Sequence, residues 1–251
     1  MNRPQIIPKI IHRAWLGSKP MPEDAKRFLA LQEKTCRDYE HLFWNEEVAK
    51  ELYPVMLSTS VKMLEDSRIQ PVGKSDILRH ELLRLFGGIW VDTDIEILRP
   101  FDELLDCSFF CAYESVTAVQ VGTAILGCVP FHPLTNAMLT AIADNYAKDG
   151  PPTKPMQQMS FGGPFLFTRL VNNFPDVTIL ERRILYPFNK PRLPAALHHF
   201  AGGTTKEGWT NQLRKNDPKN TTPDLAGQRP DTGKAVIFFG RNHQVLRAPG
   251  N

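Results

Sequence analysis

The chain has 251 residues, 42% of them hydrophobic, enough for one sizeable core with room for a small appended subdomain. Its 30 Lys and Arg against 27 Asp and Glu leave a net charge of +3. No Lys/Arg block accompanies that balance, which argues against a nucleic-acid partner and is compatible with anionic small molecules or an anionic membrane surface.

In chain order, Ile6 to Trp15 predicts a buried strand, broken by Gly17, Pro20 and Pro22. Glu23 to Cys36 predicts an amphipathic helix with Glu23 and Asp24 in the first turn, where the dipole favours acids. A second strand is expected over Tyr39 to Trp44, then helical stretches over Glu46 to Leu57 and Val61 to Asp66. Lys74 to Leu98 follows, a helix with Ser75 as its expected N-cap, a Gly87-Gly88 stop, and the apolar strand Ile89-Trp90-Val91. The order strand, helix, strand, helix, helix, strand is that of a mostly parallel α/β sheet.

The second half is more broken. Strands are expected over Phe109 to Tyr113 and Val119 to Cys128, and a helix over His132 to Lys148. A Pro-rich turn over Gly150 to Pro155 and a loop over Ser160 to Pro164 lead into a helix from Phe165 to Asn173. Val177 to Leu180, Leu197 to Phe200 and Ala235 to Phe239 read as short strands, and the tail beyond is expected to fray. Gly202 to Gly233 is polar and aperiodic, long enough to be either a mobile or a functional segment. The single domain expected over 1–251 divides into a half over about 5–105 and a half over about 106–245.

Four unevenly spaced cysteines, Cys36, Cys107, Cys111 and Cys128, contain no CxxC pair and argue against a zinc site or a disulfide framework. The N-terminus has no long apolar signal region, and no segment reaches the about 18 apolar residues of a membrane span. The expectation is a cytoplasmic protein with no transmembrane segment, compatible with peripheral association at a membrane.

Chemistry concentrates at Asp92-Thr93-Asp94, read as the acidic end of the strand that begins at Ile89. Two aspartates at i and i+2 of a strand would share a face, roughly 6.5 Å apart along the chain. Paired hard oxygen donors suit Mn2+ or Mg2+ carrying a phosphate. Ile97 excludes an EF-hand, which needs glycine there. A haloacid dehalogenase-type phosphatase has a similar Asp-x-Asp, but Glu96 stands where that pattern has Thr or Val. A nucleotide-sugar site and a solvated acidic loop both remain consistent with the motif alone.

The surroundings separate these readings. IPKIIHRAWLG followed by KSDILRHELLRLFGGIWVDTDIEILRPFD resembles the glycosyltransferases with the DXD sugar-binding motif. These include the family-32 mannosyltransferase-like enzymes and, more distantly, the catalytic domains of the large clostridial glucosylating toxins. The resemblance is strong over Ile7 to Asp102 and patchy afterwards, through Val129 to Pro133, Gly163-Pro164 and His198 to Trp209. It implies a Rossmann-like GT-A fold, a nucleoside-diphosphate sugar donor, a Mn2+ or Mg2+ ion and retention of configuration.

The resemblance also implies site residues. Asp92 and Thr93 would line the donor, and Asp92 and Asp94 would hold the metal. Asp76 and Arg79, on one helix face at i and i+3, would grip the donor sugar and its phosphate side. Catalytic roles would thus fall on Asp76, Arg79 and Asp92. Without the resemblance, Asp76 and Arg79 read as a surface ion pair of little energetic value. Trp15 would stack on the donor base, although a core tryptophan at a strand end fits the sequence equally well. Asn45 would hydrogen-bond the nucleoside. Gly163 would let backbone approach the donor, and Trp209 would close over the diphosphate. His199 would be a metal ligand, with His198 as its rival.

Two departures stand out: Gly208 occupies the place of the family's serine before Trp209, and Gly122-Thr123 lacks an asparagine that relatives carry. No side chain is clearly placed as a nucleophile, which favours same-face attack by an acceptor hydroxyl. The resulting expectation is a metal-dependent retaining hexosyltransferase acting on a glycan, a lipid-linked saccharide or a protein hydroxyl. The alternatives are a metal-dependent phosphohydrolase with Asp92 as nucleophile, or a non-catalytic sugar-nucleotide-binding module.

Overall fold

The computed structural model describes residues 7–115, 120–187, 196–198, 237–239 and 245–247, with side chains for the first two segments and Ala196. Five strands run parallel in one six-stranded sheet: β1 (Ile10–Ala14), β2 (Glu40–Trp44), β3 (Gly88–Val91), β5 (Phe109–Ala112) and β7 (Val177–Leu180). The sixth, β6 (Ile125–Cys128), lies antiparallel between β3 and β5, giving the order β2-β1-β3-β6-β5-β7. β4 (Ile95–Ile97) pairs antiparallel with β8 (Ala196–His198) in a separate two-stranded sheet.

Both faces of the six-stranded sheet are covered, so its strands alternate between two cores. Trp90, Phe109, Cys111, Leu126 and Cys128 face one core; Ile89, Val91, Phe110, Ala112 and Ile125 face the other. The first core packs against α3 (Ser58–Glu65), α4 (Pro71–Phe86), α5 (Pro133–Asp149), α6 (Pro155–Phe161) and α7 (Pro164–Val171). α1 (Glu23–Thr35) has Glu23 and Asp24 in its first turn, as its sequence predicts.

The element at the centre of the motif begins earlier than expected. α4 starts at Pro71, where a proline's missing N–H costs nothing at a helix N-terminus, so Ser75 lies inside the helix rather than capping it. Its C-terminal end follows the predicted glycine stop: Gly87 has φ 63° and Gly88 φ 85°, the left-handed region that glycine enters without penalty. Tight packing enforces the same choice, since a Cβ on Gly88 would stand 2.7 Å from the Ile10 carbonyl oxygen.

Elsewhere the boundaries shift. The long helix expected after Trp44 is only α2 (Glu46–Lys50), followed by turns up to α3. α6 forms where the sequence predicts a turn and a loop, because Pro155 opens a helix at its first position. The strand expected over Val119 to Cys128 is confined to β6, and residues 116–119 lie outside the described residues. β9 (Ile237–Phe239) forms as expected, and β10 (Val245–Arg247) pairs antiparallel with it where the sequence predicts a frayed tail.

Candidate active site

A parallel sheet leaves a crevice where neighbouring strands connect in opposite directions. Here the chain passes from β1 outward to β2 and then back across β1 to β3, so the crevice opens beyond the carboxyl ends of β1 and β3. Trp15 follows β1, Asn45 follows β2 and Asp92 follows β3, which puts three expected site positions on this one edge.

Asp92 is not part of the strand. β3 ends at Val91, and Asp92-Thr93-Asp94 forms a turn that leads into β4, so the aspartates do not share a strand face as the alternation predicts. The turn is fixed by backbone hydrogen bonds: the Asp92 N–H donates to the Ala124 carbonyl at 2.9 Å, and the Ile95 N–H donates to the Asp92 carbonyl at 3.2 Å. The turn keeps the three residues half-buried rather than enclosed between the sheet faces.

The Asp76 and Arg79 pair is buried, contrary to its reading as a surface pair. The Arg79 Nη1 donates to Asp76 Oδ1 at 2.5 Å, and Nη2 donates to Asp92 Oδ1 at 3.0 Å. The side chains of Asp76 and Arg79 are 6% and 4% exposed against 30% for Asp92, so the chain of charges runs from the interior to an accessible end. The Arg79 guanidinium carbon also lies 5.1 Å from the centre of the Trp90 ring, within cation–π range.

Two residues complete the arrangement that sequence reasoning missed. The Trp90 indole N–H donates to Asp92 Oδ1 at 2.6 Å, and the Gln158 amide donates to Asp76 Oδ2 at 2.9 Å. Trp90 was hidden inside an apolar strand, although its i, i+2 spacing from Asp92 is a usable signal. Gln158 lies 82 residues from Asp76 in a segment with the signals of a turn, and nothing local joins them.

Burial pushes the Asp76 carboxyl above its usual range, against the downward pull of the Arg79 guanidinium and the Gln158 amide. Burial alone would lower Arg79, but the adjacent Asp92 and Asp76 outweigh it and hold the guanidinium firmly protonated. When ionised, Asp76, Asp92 and Asp94 against Arg79 give −3 and +1, a formal charge of −2 for the four side chains.

The remaining expected residues are dispersed around this centre. Trp15 is half-buried rather than a core tryptophan, and its indole N–H donates to the Lys19 carbonyl at 2.7 Å. Asn45 caps α2, its side-chain oxygen accepting from the Val48 N–H at 2.9 Å. Gly163 is the N-cap of α7, and the neighbouring Gly162 lies against the site: a Cβ there would be 3.2 Å from the Asp76 Cβ. Gly122 packs on Tyr186, whose ring would be 2.7 Å from an added Cβ, which gives that position a structural reason for glycine.

The backbone of His198 pairs with Ile95, beside Asp94, while His199 and Trp209 lie outside the described residues. Among the described residues no group of three or more His, Cys, Asp and Glu could hold a metal ion. Two carboxylates still fit a cation such as Mg2+, which binds through one or two carboxylates and completes its shell with water and substrate phosphate.

Residues 2–148 match the profile of the family described as capsular polysaccharide synthesis protein. The chain belongs to this family. It is 30% identical over 135 residues to the mannosyl phosphorylinositol ceramide synthase SUR1 of Saccharomyces cerevisiae, covering 52% of the chain and 33% of that protein. It is 29% identical over 140 residues to the inositol phosphoceramide mannosyltransferase 3 of Schizosaccharomyces pombe, covering 53% of the chain and 36% of that protein. The chain thus spans about a third of the length of these curated relatives. Among solved structures, the PaToxG glycosyltransferase superposes with a TM-score of 0.57 at 20% identity, covering 68% of the chain and 70% of that structure. The ligand-free glycosyltransferase domain of the YGT toxin superposes with a TM-score of 0.50 at 11% identity, covering 70% and 80%. This member of the capsular polysaccharide synthesis family therefore has the GT-A glycosyltransferase fold. Among its described residues, no helix is long and apolar enough to cross a membrane.

Proposed function

We propose that the chain is a glycosyltransferase that moves a hexose from a nucleoside-diphosphate sugar to an acceptor hydroxyl. The observation that carries this reading is the Asp76–Arg79–Asp92 chain, buried at one end and accessible at the other, at the crevice of a parallel sheet. The GT-A fold and the named mannosyltransferase relatives support it.

Transfer breaks the bond between the sugar C1 and the diphosphate oxygen, and negative charge develops on the leaving group. Arg79, held protonated by two carboxylates, is a preorganised cation for that charge and needs no reorganisation when it appears. It cannot serve alone, because with the carboxylates ionised the four side chains sum to −2 and a diphosphate is itself anionic. A Mn2+ or Mg2+ ion held by Asp92 and Asp94 would supply the missing positive charge. The pairing of His198 with Ile95, next to Asp94, supports a metal-side place for His198 or His199. Trp15 would carry the base and Asn45 the nucleoside, with Thr93 and Gly163 lining the donor and Trp209 closing over it.

The reaction retains configuration in this reading. The acceptor oxygen attacks C1 on the face from which the diphosphate leaves, and a leaving phosphate oxygen takes the acceptor proton. Arg79 and Trp90 both donate to Asp92 Oδ1, which disfavours Asp92 as the nucleophile of a phosphohydrolase. The acceptor is a glycan, a lipid-linked saccharide or a protein hydroxyl. The relatives named for inositol phosphoceramide put a lipid-linked acceptor first in any screen.

A panel of UDP-hexoses and GDP-mannose, each with Mn2+ or with EDTA, tests the proposal by thermal shift and donor hydrolysis. A donor at about 100 times its Kd should raise Tm by roughly 5–10 °C, and EDTA should remove most of the rise. Asp94→Asn and Arg79→Lys should abolish hydrolysis while leaving the ligand-free Tm close to wild type for Asp94→Asn. Absence of binding and hydrolysis across the whole panel would overturn the reading.

A further inference from the structure

The carboxylate of Asp76 has two oxygens, and each is engaged by a different helix. Oδ1 accepts from Arg79 one turn along α4, while Oδ2 accepts from Gln158 on α6. Gln158 is buried, at 8% exposure. Its amide must present nitrogen to the carboxylate, because the oxygen would meet a like partial charge. The remaining oxygen faces Gly73, where an added Cβ would lie only 2.7 Å away. Gly162 on the far end of α6 makes a close approach to Asp76. Two glycines thus bring α6 onto α4 at the position of the buried charge, and an amide–carboxylate hydrogen bond is part of that contact.

We infer that Gln158 is a positioning residue for the proposed transfer, fixing Asp76 so that Arg79 reaches Asp92. Free rotation of the Asp76 carboxylate would leave Oδ2 buried without a donor and release Arg79 from its double engagement. With Gln158 in place, one Arg79 nitrogen is anchored to the interior and the other is aimed at the accessible end of the charge chain. This inference rests on the glycosyltransferase reading and assigns Gln158 no contact with substrate.

Gln158→Leu, Gln158→Glu and wild type, assayed for donor hydrolysis across pH, test it. Gln158→Leu should lose about ten- to a hundredfold in kcat with a smaller change in KM, the size of effect seen when outer partners of a site are removed. Gln158→Glu should be impaired at about pH 8, where two carboxylates face each other. It should recover at about pH 5.5, where the introduced carboxyl is protonated and donates to Asp76 in place of the amide. Carboxyl 13C titration should show Asp76 moving upward in Gln158→Leu, a readout independent of turnover. A Gln158→Glu pH profile matching wild type would overturn the inference even if Gln158→Leu fails to fold, and so would an unmoved Asp76 in a folded Gln158→Leu. A wild type that neither binds nor hydrolyses any nucleotide sugar would instead overturn the glycosyltransferase reading, and the assigned role with it.

Discussion

Arg79 shows how a buried charge is tolerated. Two carboxylates and the face of Trp90 surround it, and the removal of one partner from such a cluster costs about 3–5 kcal/mol. Arg79→Ala would therefore confound activity with stability, and Arg79→Lys, which keeps the charge but not the two-pronged fork, is the cleaner probe. Two histidines nearby are buried in the neutral state. His12 donates from Nε2 to the Gly87 carbonyl and accepts from the Trp44 indole at Nδ1, so both nitrogens are satisfied without a second proton. Burial pushes His12 down to about 4, against the Gly87 carbonyl, and pushes His80 down to about 3, aided by the Arg79 charge. Folded values below the unfolded 6.5 mean that the unfolded chain binds protons first as pH falls. Stability is full above about pH 6.5 and is lost from there down toward the folded values, by about 2 kcal/mol per histidine at pH 5. Neither ring nitrogen of His80 has a hydrogen-bond partner, so His80→Leu should leave stability at pH 7 unchanged or higher. It should also remove the His80 share of the acid loss, about 2 kcal/mol, as measured by urea unfolding at pH 7 and pH 5.

α4 is the element on which the site depends, and its burial is unusual. Every residue from Asp76 to Arg84 is buried, including five polar ones. A helix enclosed on all sides cannot leave charges to solvent, so Arg79 pairs with Asp76 and Arg84 pairs with Glu81. Glu81 also accepts from the Leu57 N–H at 3.0 Å and ties α4 to the start of α3. Helical periodicity located this element, but it could not show that the polar face is buried as well as the apolar one. The turn from α4 into β3 sets where Asp92 emerges. Gly88→Ala there would impose a positive φ on a residue with a Cβ and drive that atom into the β1 backbone. The strain costs about 1–3 kcal/mol before the clash is counted, so Tm should fall by roughly 2–12 °C by differential scanning calorimetry, and further with the clash. An unchanged Tm would mean that the turn relaxes without moving β3.

The charge chain draws on three separated segments: α4, the turn after β3 and α6. The sheet brings the first two together and α6 closes over them, so donor binding should stabilise all three as one unit. Hydrogen exchange followed by mass spectrometry, with and without the donor that gives the largest thermal shift, should show slowed exchange over residues 71–94 and 155–161 together. Protection confined to the turn would mean that α6 does not respond to the donor.

Local signals were sufficient for much of this. Periodic apolar residues and the double glycine made α4 and its C-terminal stop legible, and the apolar run Ile89-Trp90-Val91 suited a buried strand, but the turn that carries Asp92 and Asp94 off that strand was not legible. The acidic motif and the Asp76–Arg79 spacing marked the candidate site because they lie within 19 residues of one another. The helix over 155–161 and the Gln158–Asp76 bond were not legible, since they depend on a contact across 82 residues that no local pattern encodes. The same holds for burial: a sequence shows that Asp76 and Arg79 can meet on one helix face, but the packing of α6 and the sheet against that face decides whether water screens them. Desolvation turns a weak surface pair into a fixed, strongly coupled charge chain, and desolvation is a property of the assembled fold.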